Sequence, residues 1–146
     1  MKSKKISIFI IVLLVFACIT GIIHFSTREM IPDDALKITY HNKEIYVDIH
    51  KIEYKEVKGI RVNGKGDKIP VEGQGILIEN LLAQEDIKEF SEIEVFADDS
   101  YSAKVKKDEM NNDVYLLYEE NSVRLIVFKD TNSKRSVSNV VSINVK

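Results

Sequence analysis

The sequence predicts a β-dominated α+β domain that follows an N-terminal transmembrane helix. Three observations support this fold class: an uncharged apolar stretch over Ile6–Phe25, several short runs in which apolar and polar residues alternate, and a single segment with helical periodicity. A chain of 146 residues, 45% of them hydrophobic, has room for one small domain and this helix. We therefore divide it into a membrane anchor (residues 1–28), a linker (29–35) and an extracytoplasmic domain (36–146).

The apolar stretch is long enough for one helix to cross a bilayer, and three lysines precede it, Lys2, Lys4 and Lys5. Positive charge is retained on the cytoplasmic side, which predicts a single-pass cell-membrane protein whose C-terminal domain lies outside the cytoplasm. The alternative is a bacterial lipoprotein anchor acylated on Cys18. Phe16 is larger than the residue such signals carry two positions before the cysteine, which favours the helix.

Alternation over Leu36–Tyr40 and Glu44–Ile49 predicts a β-hairpin at the start of the domain. The same pattern predicts a strand over Ile52–Val62 that is broken at Gly59, and further strands over Phe90–Ala97, Tyr101–Val105, Val114–Tyr118, Val123–Phe128 and Val137–Val145. Together these give about eight strands.

Five of the six glycines lie between Gly59 and Gly75, which predicts the main irregular loop of the domain there. The one predicted helix follows, from Ile76 to about Glu85. Within it Ile78, Leu81 and Leu82 share a face because they are three and four residues apart.

Charge and cysteine content exclude several function classes. From residue 29 onward there are 17 Lys and Arg against 23 Asp and Glu, a net charge of −6, which disfavours nucleic acid as a partner. Cys18 is the only cysteine, so the domain has no thiolate nucleophile or thiolate metal ligand. The histidines lack zinc spacing, and no serine motif or convergent pair of carboxylates indicates catalysis. We therefore predict neither a catalytic residue nor a metal ligand.

Four short motifs occur in order over residues 75–145: GILIENLL at Gly75–Leu82, DSY at Asp99–Tyr101, RLIV at Arg124–Val127 and KRSVSNVVSINV at Lys134–Val145. In this order they resemble the oxidoreductase molybdopterin-binding domain of the sulfite oxidase superfamily. The resemblance implies a sulfite-oxidase-like molybdopterin-binding fold, with a molybdenum–pterin cofactor whose metal is ligated by a cysteine.

The chain departs from this family pattern at its cofactor contacts. No cysteine precedes the predicted helix, and Ser138 and Asn139 occupy the positions of the family's Lys-Trp pair. Three basic residues still match and are the candidates for cofactor binding: Arg124, Lys134 and Arg135.

One polar residue in the closing motif is also unusual. If strand alternation extends over Val137–Val145, Asn139 points inward with Val137, Val141, Ile143 and Val145. A buried amide must find hydrogen-bond partners, so the pattern marks Asn139 for inspection.

These observations predict a membrane-tethered binding or accessory module of the molybdopterin-oxidoreductase type, without metal catalysis and with no bound cofactor. Its partners would be the membrane and an unknown protein or small anionic ligand. One alternative is an oxidoreductase or electron-transfer component that binds molybdopterin through the three basic residues. A second is an unrelated cell-surface β-domain that binds peptide or cell-wall material.

Overall fold

The computed structural model describes residues 10–20 and 31–146, and the chain separates into two units, Met1–Ile31 and Pro32–Lys146. In the first unit, residues 10–20 are helical (α1), and the Thr20 hydroxyl donates hydrogen bonds to the carbonyl oxygens of Phe16 and Ala17, at 3.0 Å each. Among the described residues, no helix combines the length and the apolar character needed to cross a membrane. The fold class predicted from the sequence is therefore wrong in its transmembrane helix. The remaining parts of that prediction, residues 6–9 and 21–25, lie outside the described residues, and the cellular location stays a prediction.

The second unit, here called the β-domain, contains nine strands, one α-helix and two short 3-10 turns. The strands are β1 (Ala35–Tyr40), β2 (Lys43–Asp48), β3 (Lys55–Val62), β4 (Lys68–Leu77), β5 (Glu92–Ala97), β6 (Ser102–Lys106), β7 (Val114–Glu119), β8 (Ser122–Val127) and β9 (Val140–Val145). Helix α2 spans Ile78–Gln84, and the 3-10 turns span Ile49–Lys51 and Lys107–Glu109.

The strands form two sheets. The larger has the order β2-β1-β9-β5-β6 and the smaller has the order β3-β4-β7-β8. Neighbouring strands are antiparallel except for β1 and β9, which run parallel with Ile38 opposite Ile143. The domain thus contains four hairpins of consecutive strands: β1–β2, β3–β4, β5–β6 and β7–β8. Strand β9 links the first and third hairpins into the larger sheet, and the β4–β7 pairing links the second and fourth into the smaller sheet.

One hydrophobic core is shared by the two sheets. Its fully buried members include Ile38, Ile93 and Ile143 from the larger sheet and Leu116 and Leu125 from the smaller sheet. Burial of each such side chain stabilises the fold by about 1.5–3 kcal/mol. In the smaller sheet, the residues between these buried positions point to the opposite face. There Val57, Leu117, Ile126 and Phe128 form a second hydrophobic cluster.

Helix α2 is built as the sequence predicts, with Ile78, Leu81 and Leu82 completely buried on one face. It begins two residues later than predicted, because Ile76 and Leu77 still pair with β7 as the end of β4. The helix therefore packs directly against the shared core from the end of a strand.

The prediction of an irregular loop over Gly59–Gly75 is wrong, because β3 and β4 form a continuous antiparallel hairpin there, with Gly59 opposite Val71. Asn63 organises its turn: its side-chain oxygen accepts hydrogen bonds from the backbone N–H groups of Lys65 and Asp67, both at 2.9 Å. Gly66 supplies the left-handed conformation with φ of 90°. We call Lys55–Lys68 the β3 arm.

The inward position predicted for Asn139 is also wrong. Asn139 is exposed and has a left-handed φ of 48°, and β9 begins only at Val140. Opposite, β5 carries a register shift between Phe96 and Ala97. Asn139 interrupts the alternation between Val137 and Val140, which are both buried. Because Phe96 pairs with Ser142 and Ala97 with Val140, Val141 is the extra residue of a β-bulge, and it is 44% exposed although Ile143 is buried.

The β-dominated character predicted from the sequence is confirmed by these nine strands. The finer prediction, a sulfite-oxidase-like molybdopterin-binding fold with a transmembrane helix, is not shown by the described residues. We therefore describe the β-domain by its own architecture: two sheets around one core with a single α-helix.

The corrected register of β9 can be tested with two truncations on that strand. Ile143→Ala removes most of a fully buried side chain and is expected to lower the free energy of unfolding by about 2–5 kcal/mol. Val141→Ala shortens an exposed side chain and should change it by less than about 0.5 kcal/mol. Urea denaturation followed by circular dichroism measures both, and equal losses would contradict the register.

Candidate functional site

A groove of about 700 Å³ lies beside strand β3. It is lined by Lys58, Gly59, Ile60, Val62, Gly66, Lys68, Asn112, Asp113, Tyr115, Phe128, Lys129, Asp130 and Thr131. Lys58, Ile60 and Val62 are two residues apart and lie on one face of β3, and Gly59 between them adds bare backbone, so the groove follows the strand. Strand β3 is an outer strand of the smaller sheet and pairs only with β4. We call this surface the β3 groove.

The wall of the β3 groove opposite β3 is aromatic. The rings of Tyr115 and Phe128 lie with their centroids 5.5 Å apart at an interplanar angle of 57°. Phe128 is buried in the second cluster, whereas Ile60 on the β3 side is 56% exposed. An isoleucine this exposed beside an aromatic pair offers apolar contact to a ligand.

Gly59 sets the distance between β3 and this aromatic wall. A Cβ atom at position 59 would lie 2.5 Å from Phe128 Cε1 and 2.6 Å from Phe128 Cδ1, closer than real Cβ contacts allow. The Phe128 ring therefore packs against the bare backbone of Gly59. The absence of a side chain allows the β3 arm to approach the end of β8.

Charged residues form the rim of the β3 groove and are paired with one another. The Lys58 ammonium lies 2.9 Å from a Glu72 oxygen and 3.0 Å from a Glu56 oxygen, and hydrogen bonds to these two carboxylates raise the pKa of Lys58. The Lys129 ammonium lies 2.8 Å from an Asp113 oxygen. Ion pairs on the surface contribute little to stability, but they restrict the positions of the rim side chains.

A second groove of about 470 Å³ adjoins the first and shares Lys58 and Tyr115 with it. Its lining adds residues from β3, β4 and α2, among them Val57, Gly75 and Asn80. The two grooves follow β3 from its start to its end. A ligand longer than one side chain therefore has surface to contact along the whole strand.

The three residues predicted to bind a cofactor do not converge on either groove. The Arg124 Nε lies 2.8 and 2.9 Å from the two carboxylate oxygens of Glu119. Lys134 is exposed, and its backbone carbonyl accepts a hydrogen bond from the Tyr101 hydroxyl at 2.6 Å. Through these contacts, Arg124 and the backbone of Lys134 stabilise the structure around them.

Arg135 is engaged by two carboxylates. Its guanidinium donates hydrogen bonds to both oxygens of Asp130 and, at 3.0 Å, to an oxygen of Glu109. The hydrogen bond to Asp130 is the main cause of a raised pKa for Arg135. Asp130 lines the β3 groove, so these hydrogen bonds from Arg135 help to hold one of its lining side chains in place. Binding of a pterin by these basic residues stays a prediction.

The chain matches no family model, and no curated protein matches it. The resemblance to the molybdopterin-binding domain therefore remains a prediction from the four motifs. Within residues 10–20 and 31–146, no group of three or more His, Cys, Asp or Glu side chains is arranged to hold a metal ion.

Sequence reasoning missed the β3 groove because the glycines of the arm were read as a loop. One local signal was available: Asn63-Gly64 stands between two alternating runs, a pattern typical of hairpins. The edge position of β3 had no such signal, since it depends on which distant strands pair.

A polar cluster lies at the opposite end of β7, around His50. Its ring nitrogens lie 3.1 Å from the Tyr118 hydroxyl and 3.3 Å from an Asp34 oxygen. The neighbouring Tyr54 donates a hydrogen bond to the carbonyl oxygen of Ile49 at 2.8 Å. Burial is the main cause that raises the pKa of Tyr54 to about 12. These contacts join the segment before β3 to β7.

Substitution of Gly59 tests the close approach of the β3 arm. Gly59→Ala forces its Cβ onto the Phe128 ring and is expected to lower the free energy of unfolding by about 1–3 kcal/mol. Gly73→Ala, on the paired strand, is the matched control because no atom lies within 4 Å of its Cβ position. It should be neutral or stabilising by up to about 1 kcal/mol. Equal effects in denaturant titrations would refute the contact.

Titration of Tyr54 tests the packing of the segment before β3. A folded-state pKa of about 12, above the usual tyrosine value, means that the stabilisation is fully present below about pH 10 and is lost as pH rises through 12. Ultraviolet absorbance of tyrosinate should therefore show a late-ionising group that is missing in Tyr54→Phe. If this substitution left the titration curve unchanged, Tyr54 would not be buried as described.

Proposed function

We propose that the β-domain is a non-catalytic binding module whose ligand site is the β3 groove. The observation that carries this proposal is an open groove whose lining includes the exposed Ile60 and the Tyr115–Phe128 pair. The groove volume of about 700 Å³ falls within the range of about 300–1,000 Å³ that is usual for ligand pockets. Apolar walls with a polar rim suit a ligand that has an apolar body and a polar or charged end.

The paired rim charges support binding over catalysis. A general base must lose its proton near neutral pH, whereas hydrogen bonds to Glu72 and Glu56 raise the pKa of Lys58 and keep it protonated. Lys129 is paired with Asp113, and Asp130 is engaged by Arg135. Among the residues that line the groove, these groups are arranged as a fixed rim that orients a ligand.

The alternative in which molybdopterin is bound through Arg124, Lys134 and Arg135 has less support. A pterin phosphate needs several donors that converge on one pocket. Here the guanidinium groups of Arg124 and Arg135 already donate to Glu119, Asp130 and Glu109. A bound anion would have to displace these carboxylates.

The proposed site can be tested by an NMR titration of the full-length chain with naphthalene sulfonate, a ring-sized probe with one anionic end. We expect saturable shifts at the backbone amides of Gly59, Tyr115 and Lys129. Ile60→Gln should weaken binding about tenfold, because it removes apolar contact equivalent to about 1.4 kcal/mol. Val141→Gln is the matched control, since Val141 is a comparably exposed residue on the larger sheet.

The proposal fails if the probe shifts no groove amide. It also fails if Ile60→Gln and Val141→Gln change the affinity equally. Because shifts are assigned residue by residue, binding of the probe to other apolar parts of the chain does not count as support.

A further inference from the structure

Resting on the proposed binding function, we infer that the natural ligand of the β3 groove is an extended acidic peptide of another protein, which pairs with β3 as an added strand. Three features of the described residues carry this inference: the unpaired edge of β3, the apolar groove beside it, and the charge of the β3 arm.

The edge of β3 provides the main-chain part of the site. Strand β3 spans eight residues, Lys55–Val62, and pairs with β4 on one side only. Its other side presents backbone N–H and C=O groups, a ready template for another strand. At about 3.3 Å per residue, this edge is roughly 26 Å long and accommodates seven or eight residues of an extended chain.

The β3 groove provides a position for a side chain of the added strand. Successive side chains of an extended peptide point to opposite faces, so alternate ones can enter pockets beside the edge. Ile60 and the Tyr115–Phe128 pair form an apolar position there, large enough for an aromatic or aliphatic side chain. The adjoining groove at Val57 and Gly75 offers a second position along the same strand.

The charge of the β3 arm selects an acidic partner. The arm contains five basic and two acidic residues, a net charge of +3, whereas residues 31–146 contain 17 basic and 22 acidic residues, a net charge of −5. Of the five basic residues of the arm, Lys58 takes part in the described ion pairs, with Glu56 of the arm and Glu72 of β4. An acidic peptide is therefore attracted to the arm and repelled by the rest of the domain.

Lysines on an outer strand also protect sheets against aggregation, which could by itself explain the basic arm. Protection does not explain Ile60, because an apolar residue that is 56% exposed on the same strand would promote the association that lysines prevent. A binding edge needs both features: apolar contact for affinity and charge for the choice of partner.

The test uses the full-length chain and alternating heptapeptides. Isothermal titration compares Ac-EVEFEVE-NH2 with its basic counterpart Ac-KVKFKVK-NH2. We expect the acidic peptide to bind at least tenfold more tightly at low salt, and the difference to shrink as salt screens the charges. Lys68→Glu, at the groove, should weaken the acidic peptide, and Lys43→Glu, exposed on β2, should weaken it much less.

Strand addition is tested with two N-methylated forms of the acidic peptide, one methylated at its odd residues and one at its even residues. An added strand pairs through every second amide, so one form should lose binding and the other should retain it. Amide hydrogen exchange within Lys55–Val62 should slow when the unmethylated peptide binds.

Each outcome decides between the two proposals. If naphthalene sulfonate occupies the groove but the acidic peptide does not bind, the peptide inference is overturned and the binding function stands. If neither probe binds, both are overturned. Equal binding of acidic and basic peptides, or equal loss with both methylated forms, overturns the inference. The inference is also overturned if sedimentation shows a dimer whose formation slows amide exchange in β3. The occupant of the edge would then be a second copy of this chain.

Discussion

The parallel pairing of β1 and β9 is the constraint on which the rest of the β-domain depends. It places Ile38 beside Ile143, both fully buried, and joins the β1–β2 and β5–β6 hairpins into one sheet. Only the joined sheet presents a continuous apolar face, against which Leu116 and Leu125 of the smaller sheet are buried. One face of the smaller sheet therefore packs against the larger sheet. Its other face carries the second cluster, which includes Phe128 of the aromatic wall of the β3 groove.

Local periodicity made part of this fold predictable from the sequence. Most strands and the buried face of α2 follow from alternation and from the spacing of Ile78, Leu81 and Leu82, because burial imposes these periods directly. The β3–β4 hairpin was hidden because its glycines, which resemble loop residues, are required there by contact with Phe128 and by the turn. The start of β9 depends on the left-handed Asn139, and no pattern within the segment signals that conformation.

The site was less predictable than the fold, because its character depends on partners that are distant in sequence. Arg135 looked like an anion contact, yet Glu109, 26 residues earlier, and Asp130 occupy its guanidinium. Ile60 falls within both the predicted strand Ile52–Val62 and the predicted glycine-rich loop, and neither prediction indicates that its side chain is 56% exposed beside a groove. A sequence shows which residues carry charge or apolar surface, but the tertiary pairing decides which of them remain accessible to a ligand.

The order of the strands also has a kinetic consequence. Every hairpin joins neighbours in the chain, so the four hairpins can form from local contacts, whereas β1 and β9 lie about a hundred residues apart. Closing so long a loop carries an entropic cost before any contact compensates it. We therefore expect the chain to acquire its hairpins early and to cross its main folding barrier when β9 docks between β1 and β5. The arm that carries the ligand-binding edge is then formed before the sheet that fixes it in place.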